Sequence, residues 1–201
     1  MPSCSKLQGI DTGSRPGHAV SAWCIAFIGL GSNLGESREL LRAAWTALGE
    51  RPGIVLHSLS SPYRTRPTGM DSPNWFINAA GMLRTTLGPD ALLAVLHETE
   101  HRFGRIRSPD RQGYQDRTLD LDLLLLDGQV LRNGHLTLPH PALHQRMFVL
   151  APLAEIAPQM EHPVLRKTIA QLLAELSPQA DLDDIELVRW QDPCPLGVGR
   201  P

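Results

Sequence analysis

The stretch Arg117-Thr118-Leu119-Asp120-Leu121-Asp122-Leu123-Leu124 constrains the fold more than any other in this chain. Its alternation of leucine and aspartate has the period of a β-strand, with the leucines on a core and both carboxylates on the other face. Side chains two apart on a strand lie about 6 to 7 Å from one another, so Asp120 and Asp122 repel and call for a cation. An all-oxygen pair suits Mg²⁺, which keeps most of its waters and takes further ligands from phosphates. Taken alone, the pair reads more readily as the solvated acidic face of an edge strand.

The residues just upstream shift that balance. Arg102, Arg105, Arg107, Arg111 and Arg117 crowd into one stretch, and Arg146 follows. Carboxylates for metal and guanidinium groups for phosphate are the two halves of a phosphoryl or pyrophosphoryl transfer site. The cluster is local, because the 201-residue chain balances 19 Lys plus Arg against 21 Asp plus Glu. That balance removes the global electrostatic case for nucleic acid. Three spread cysteines without CxxC spacing fit a reducing compartment, and no apolar run reaches the ~20 residues of a membrane span. The expectation is a cytoplasmic monomer: a disordered arm over 1–22, one domain over 23–190, and a mobile tail over 191–201.

Hydrophobic periodicity predicts a buried strand at 23–28 closed by a turn at Gly29, Gly31 and Asn33, then a helix over 37–48. Strands follow at 54–60 and 75–85, with a polar, proline-marked loop over 63–74 between them. Gly88-Pro89-Asp90 opens a second helix that stops at Gly104. After the strand at 119–126, Asp127-Gly128 signals a hairpin into 129–131. A short helix over 142–149 and a last amphipathic one, with Leu165, Ile169, Leu172, Leu173 and Leu176 in phase, complete the chain. This order predicts an α+β sandwich, with helices on one face of a mostly antiparallel sheet.

Two motifs invite other readings. Gly29-Leu30-Gly31-Ser32-Asn33-Leu34-Gly35 follows a strand and precedes a helix, but it is GxGxxxG and no βαβ repeat follows, so a dinucleotide fold is weakly supported. His97-Glu98-Thr99-Glu100-His101 is a literal HExxH, the zinc-protease pattern. It continues to Gly104 at metzincin spacing, yet Arg107 stands where a third histidine belongs. An exposed polar helix face explains the motif better.

Assembled in order, these residues resemble the 6-hydroxymethyl-7,8-dihydropterin pyrophosphokinase family of folate biosynthesis. The resemblance covers about 26–158: IGLGSNLG at 28–35, SSPYRTRP at 60–67, FINAA at 76–80, GRIR at 104–107, RTLDLD at 117–122, LPHP at 138–141 and RMF at 146–148 before PLAEIAP. It implies a ferredoxin-like α+β sandwich that moves the β,γ-diphosphate of ATP onto a pterin alcohol and leaves AMP. By position, Asp120 and Asp122 resemble the pair holding two Mg²⁺ ions. Arg105 and Arg117 resemble the catalytic phosphate arginines, and Glu100, Arg107, Thr137, His140 and Arg146 resemble ATP-site residues. Thr65, Phe76, Asn78 and Phe148 resemble the pterin pocket, Phe76 standing where Tyr is frequent.

The chain departs from the pattern before Arg117. There the family commonly has a small residue and Pro, with Trp-Gly upstream, where this chain has Arg111-Gln112-Gly113-Tyr114-Gln115-Asp116. The resemblance implies a loop over 105–116 that closes over the substrates, with Tyr114 a candidate for its aromatic. The departure keeps a second reading open, a pterin- or nucleotide-binding paralogue without transfer.

Overall fold

The computed structural model describes residues 22–69, 71–105, 115–177 and 184–191. The arm before Ala22, the tail beyond Gln191, Arg107 and most of the expected closing loop, with Arg111 and Tyr114, lie outside the described residues. β1 (Cys24–Ser32) runs through the middle of an antiparallel sheet, between β4 (Phe76–Thr85) and β5 (Asp120–Leu126). The turn expected at Gly29 and Gly31 is strand instead. Hydrogen bonding on both sides satisfies the backbone there and overrides the weak strand preference of glycine.

β2 (Ile54–Leu59) and β3 (Tyr63–Thr65) share the far edge of β4, one at each end, and β8 (Ile185–Leu187) extends the sheet beyond β3. The first residues of the expected 63–74 loop are therefore strand. Asp127 (φ 47°) and Gly128 (φ 68°) do form a turn, but the chain does not fold back along β5. β6 (Leu131–Arg132) pairs with β7 (Thr137–Leu138) as a separate two-stranded ribbon.

Helices cover both faces of the sheet, where one covered face was expected. α1 (Ser37–Gly49) and α2 (Pro89–Arg102) bury Leu41, Trp45, Leu48, Leu92 and Leu96 against Ala26, Ile28, Leu30, Leu83, Leu121 and Leu123. On the opposite face, α3 (Met147–Ile156) and α4 (Ile169–Leu176) bury Leu150, Leu153, Ile169 and Leu172 against Phe27, Ala80, Leu124 and Leu125. The nearly all-apolar sequence of α3 has no polar face to betray its docking. The expected 142–149 helix splits into a 3₁₀ turn at Leu143–Gln145 and the start of α3. A capping box between Thr168 and Gln171 starts α4 after Leu165, leaving that leucine 37% exposed.

Between β1 and β5 the register shifts: Ile28 faces Leu123 while Phe27 faces Leu125, so Leu124 is an extra, bulged residue. No helix among the described residues is long and apolar enough to cross a membrane.

Candidate active site

The site lies on the α3 side of the sheet, where β1 presents glycine. Gly31 stands in register between Asp120 on β5 and Asn78 on β4, and Gly29 between Asp122 and Ala80. Partners in register share a face, so the two glycines form a floor without side chains, flanked by carboxylates on one side and Asn78 on the other. A Cβ at Gly31 would come 3.0 Å from Asn78 Oδ1.

Beside this floor, at the start of β5, charges alternate. Asp120 pairs with Arg105 and, at 2.9 Å, with Arg117 Nη2. Arg105 also pairs with Glu100, which is only 2% exposed and accepts a 2.8 Å hydrogen bond from Leu121 N. Burial opposes the charge on Arg105, but Asp120 and Glu100 outweigh it and raise its pKa. Asp122 differs, since no donor among the described residues hydrogen-bonds to it. Burial first, then the charge of Asp120, raises its pKa from 3.8 to about 6, against the opposing pull of Arg146 and Arg117. A partly buried, donor-poor carboxylate beside a second one is an oxygen-only pair that fits a hard divalent cation.

His140 follows the ribbon. Burial, then the nearby charge of Arg146, lowers its pKa and leaves the ring neutral near pH 7. Its Nδ1 accepts from Ala142 N at 3.3 Å, so Nε2 carries the proton and can donate. Thr137, on β7, is not among the residues lining the clefts described here.

Beside the charges opens a cleft of ≈ 110 Å³ lined by Thr65, Phe76, Asn78 and Phe148, together with Arg117 and Arg146. Asn78 Nδ2 donates to Thr65 Oγ1 at 2.7 Å, which leaves Asn78 Oδ1 as an acceptor for a ligand edge. The Arg117 guanidinium lies 5.2 Å from the Phe76 ring centre, and that of Arg146 lies 5.6 Å from the Phe148 ring centre. A second recess, under Asp120 and Asp122, shares Asn78, Arg117, Arg146 and Phe148 with this cleft. A flat polar ring in one and a phosphate chain in the other would meet at those four residues.

Of the HExxH segment only Glu100 joins this cluster. His97, Glu98 and His101 lie on the exposed side of α2, and Glu98 pairs with Arg51. Sequence reasoning missed Asn33, Asp116, Ser72 and Asn74, which tie together the chain around Arg117. Asn33 reads as a turn residue in the sequence; its burial, 6% exposed, is the sign of a polar side chain with partners to satisfy.

An antiparallel α+β sandwich thus sets paired carboxylates and arginines against an aromatic cleft. Residues 27–158 match the model of the 7,8-dihydro-6-hydroxymethylpterin-pyrophosphokinase (HPPK) family. A 2-amino-4-hydroxy-6-hydroxymethyldihydropteridine pyrophosphokinase from Methylorubrum extorquens is 39% identical over 76% of this chain and 94% of its own. Its namesake from Synechocystis is 42% identical over 75% of each chain. Among solved structures, a Plasmodium falciparum HPPK-DHPS triple mutant superposes with a TM-score of 0.65 at 14% identity, over 83% of this chain. The chain spans about half that protein, 47%, and the likeness concerns fold alone. The chain belongs to the 7,8-dihydro-6-hydroxymethylpterin-pyrophosphokinase family, in agreement with the pyrophosphokinase reading of its motifs.

Proposed function

We propose that this chain transfers the β,γ-diphosphate of ATP to the hydroxymethyl oxygen of 6-hydroxymethyl-7,8-dihydropterin, releasing AMP, as a cytoplasmic monomer in folate biosynthesis. One observation carries the reading: the aromatic cleft and the acidic recess share Asn78, Arg117, Arg146 and Phe148. A pterin in the first cleft has its alcohol facing a phosphate chain in the second.

Asn78 Oδ1 accepts from the amino edge of the pterin, while Phe76 and Phe148 flank its ring. Arg105, Arg117 and Arg146, with the Nε2–H of His140, bind the oxygens of the triphosphate. To reach them, Arg105 and Arg117 exchange Asp120 for phosphate, which leaves Asp120 and Asp122 available for Mg²⁺, two ions by the family resemblance. Mg²⁺ held there supplies charge neutralisation at phosphate oxygens. The hydroxymethyl oxygen forms a bond to the β-phosphorus as the bond from that phosphorus to the α,β-bridging oxygen breaks. The proton of the alcohol passes to solvent, and AMP departs with the bridging oxygen. Positioning and charge do the work, and no covalent nucleophile is required.

The test is AMP release from Mg-ATP with and without the pterin alcohol, with the pterin diphosphate identified by mass. Stoichiometric AMP and pterin diphosphate are expected. Binding of both substrates without AMP would identify a non-transferring paralogue and overturn the reading.

A further inference from the structure

The residue before Arg117 is an aspartate whose partners come from two distant parts of the chain. Asp116 Oδ1 accepts from Asn33 Nδ2 and from Ser72 Oγ, both at 2.6 Å, and Oδ2 accepts from Asn74 Nδ2 at 2.9 Å. Asn33 is the residue after β1, while Ser72 and Asn74 lie just ahead of the Phe76 that walls the aromatic cleft. The same Asn33 holds the neighbouring main chain from both sides. Its Oδ1 accepts from Arg117 N at 2.8 Å, and its own N–H donates to Arg117 O at 3.1 Å. Ser72 Oγ also accepts from Asn74 N at 3.1 Å, which closes the 72–74 turn on the same carboxylate. The Ser72 hydrogen bond first, with Asn33 and Asn74 adding to it against partial burial, holds the Asp116 carboxyl below its ordinary range.

We propose that Asp116 is a positioning residue for the proposed pyrophosphoryl transfer: it clips the base of Arg117 to the segment that carries Phe76, so that the arginine and the cleft wall keep one geometry. The inference rests on the reading of Arg117 as a phosphate ligand. The guanidinium already lies against the Phe76 ring and on Asp120. Reaching both the ring cleft and the phosphate recess from one fixed base demands that the base not drift. Asp116 touches no substrate in this scheme. Its carboxylate is an acceptor with three donors converging on it, an arrangement that an amide of the same shape cannot reproduce. In Asp116→Asn the new amide N–H meets the amide N–H of Asn74, which must turn its own amide over to accept it, or else displaces Ser72 and Asn33.

Steady-state kinetics with the full chain test this. Asp116→Asn should lower kcat about tenfold while the KM for ATP stays within about twofold, because a misplaced arginine weakens the transition state more than the ground state. Two further variants separate positioning from general damage. In an Arg117→Ala background, adding Asp116→Asn should cost less than about twofold, since residues acting through one another are non-additive. The reciprocal pair Asp116→Asn with Asn74→Asp restores one donor opposite one acceptor and should recover kcat to within about threefold of the parent. Additive losses, an unrecovered swap, or a kcat unchanged in Asp116→Asn would each overturn the proposal.

Amide exchange gives a readout that needs no turnover. Asp116→Ala should speed exchange at Asn74 N and Arg117 N together while β1 and β4 stay protected; equal exchange in both proteins would overturn the clip. A parent chain that releases no AMP but shows this paired loss would sink the reading of the activity and leave the clip standing.

Discussion

Gly31 and Asn78 face each other across the β1–β4 ladder, so closely that a methyl group on the glycine would come 3.0 Å from the Asn78 side-chain oxygen. Asn78 has little room to yield, being 7% exposed and tied to Thr65 at 2.7 Å. Gly31→Ala should therefore move or rotate that amide. The expected result is a rise of about tenfold in the KM for the pterin, equivalent to losing one oriented hydrogen bond, with a smaller change for ATP. An unchanged pterin KM would refute the role given to Asn78.

Gly81 offers the contrasting case on the other face. A Cβ there would lie 2.3 Å from the Trp45 ring, and Trp45 is 7% exposed inside the α1 core. Gly81→Ala should destabilise the fold by about 1–3 kcal/mol through overpacking and leave both KM values near those of the parent. A thermal melt and the kinetic assay together separate the two glycines.

Asp122 gives a pH signature. Its pKa rises from 3.8 to about 6 in the folded chain, so the folded state holds that proton more tightly than the unfolded one. The resulting stability is present below the unfolded value and is lost as pH rises through about 6. Without metal or nucleotide, the melting temperature attributable to this group should fall between about pH 4 and pH 6. Asp122→Asn should flatten that slope, stabilise the metal-free chain at pH 7 by about 1–3 kcal/mol, and abolish transfer. Melts across pH with and without Mg-ATP check it; a variant less stable than the parent at pH 7 would contradict the assignment.

Two neighbours on α2 should behave oppositely. His101 lies on the exposed side, whereas Glu100 is buried between Arg105 and Leu121 N. His101→Ala should keep activity within about twofold, as surface changes usually do, and the purified protein should hold no stoichiometric zinc. Glu100→Gln keeps the shape but removes a charge from Arg105, and should lower kcat/KM for ATP by about tenfold or more. One zinc per chain, lost on His101→Ala, would revive the HExxH motif as a metal site.

The acidic strand, α1 and α2 were legible because each carries its own period: alternating Leu and Asp in 119–122, and apolar stripes such as Leu41, Trp45 and Leu48. The site residues lay within recognisable motifs, and the structure gathers Thr65, Phe76, Asn78, Arg117, Arg146 and Phe148 around one cleft. What escaped depends on partners far away in the chain. β3 has three residues and exists because β4 and β8 pair with it. Gly29 and Gly31 look like a turn until β4 and β5 supply hydrogen bonds on both sides. The Asp116 clip joins residues separated by 42 to 83 positions, so no local pattern announces it.

The bulge at Leu124 decides which length changes β5 can absorb. Asp120 and Asp122 face the site and Leu121 and Leu123 the α1–α2 core, whereas beyond the bulge Leu125 and Leu126 take these two sides in turn. Loss of Leu124 would leave an unbroken alternation, with the acids and Leu126 on their present sides. Loss of Leu121 instead would put one of the two acids on the wrong side of the sheet or drag Arg117 out of register. Because 123–126 are four leucines, removing any one of them gives the same shortened chain; the acids keep their sides at the cost of one buried leucine, and a survey of single-residue deletions in this strand by melting and AMP release should find activity, with a lowered melting temperature, only within that run.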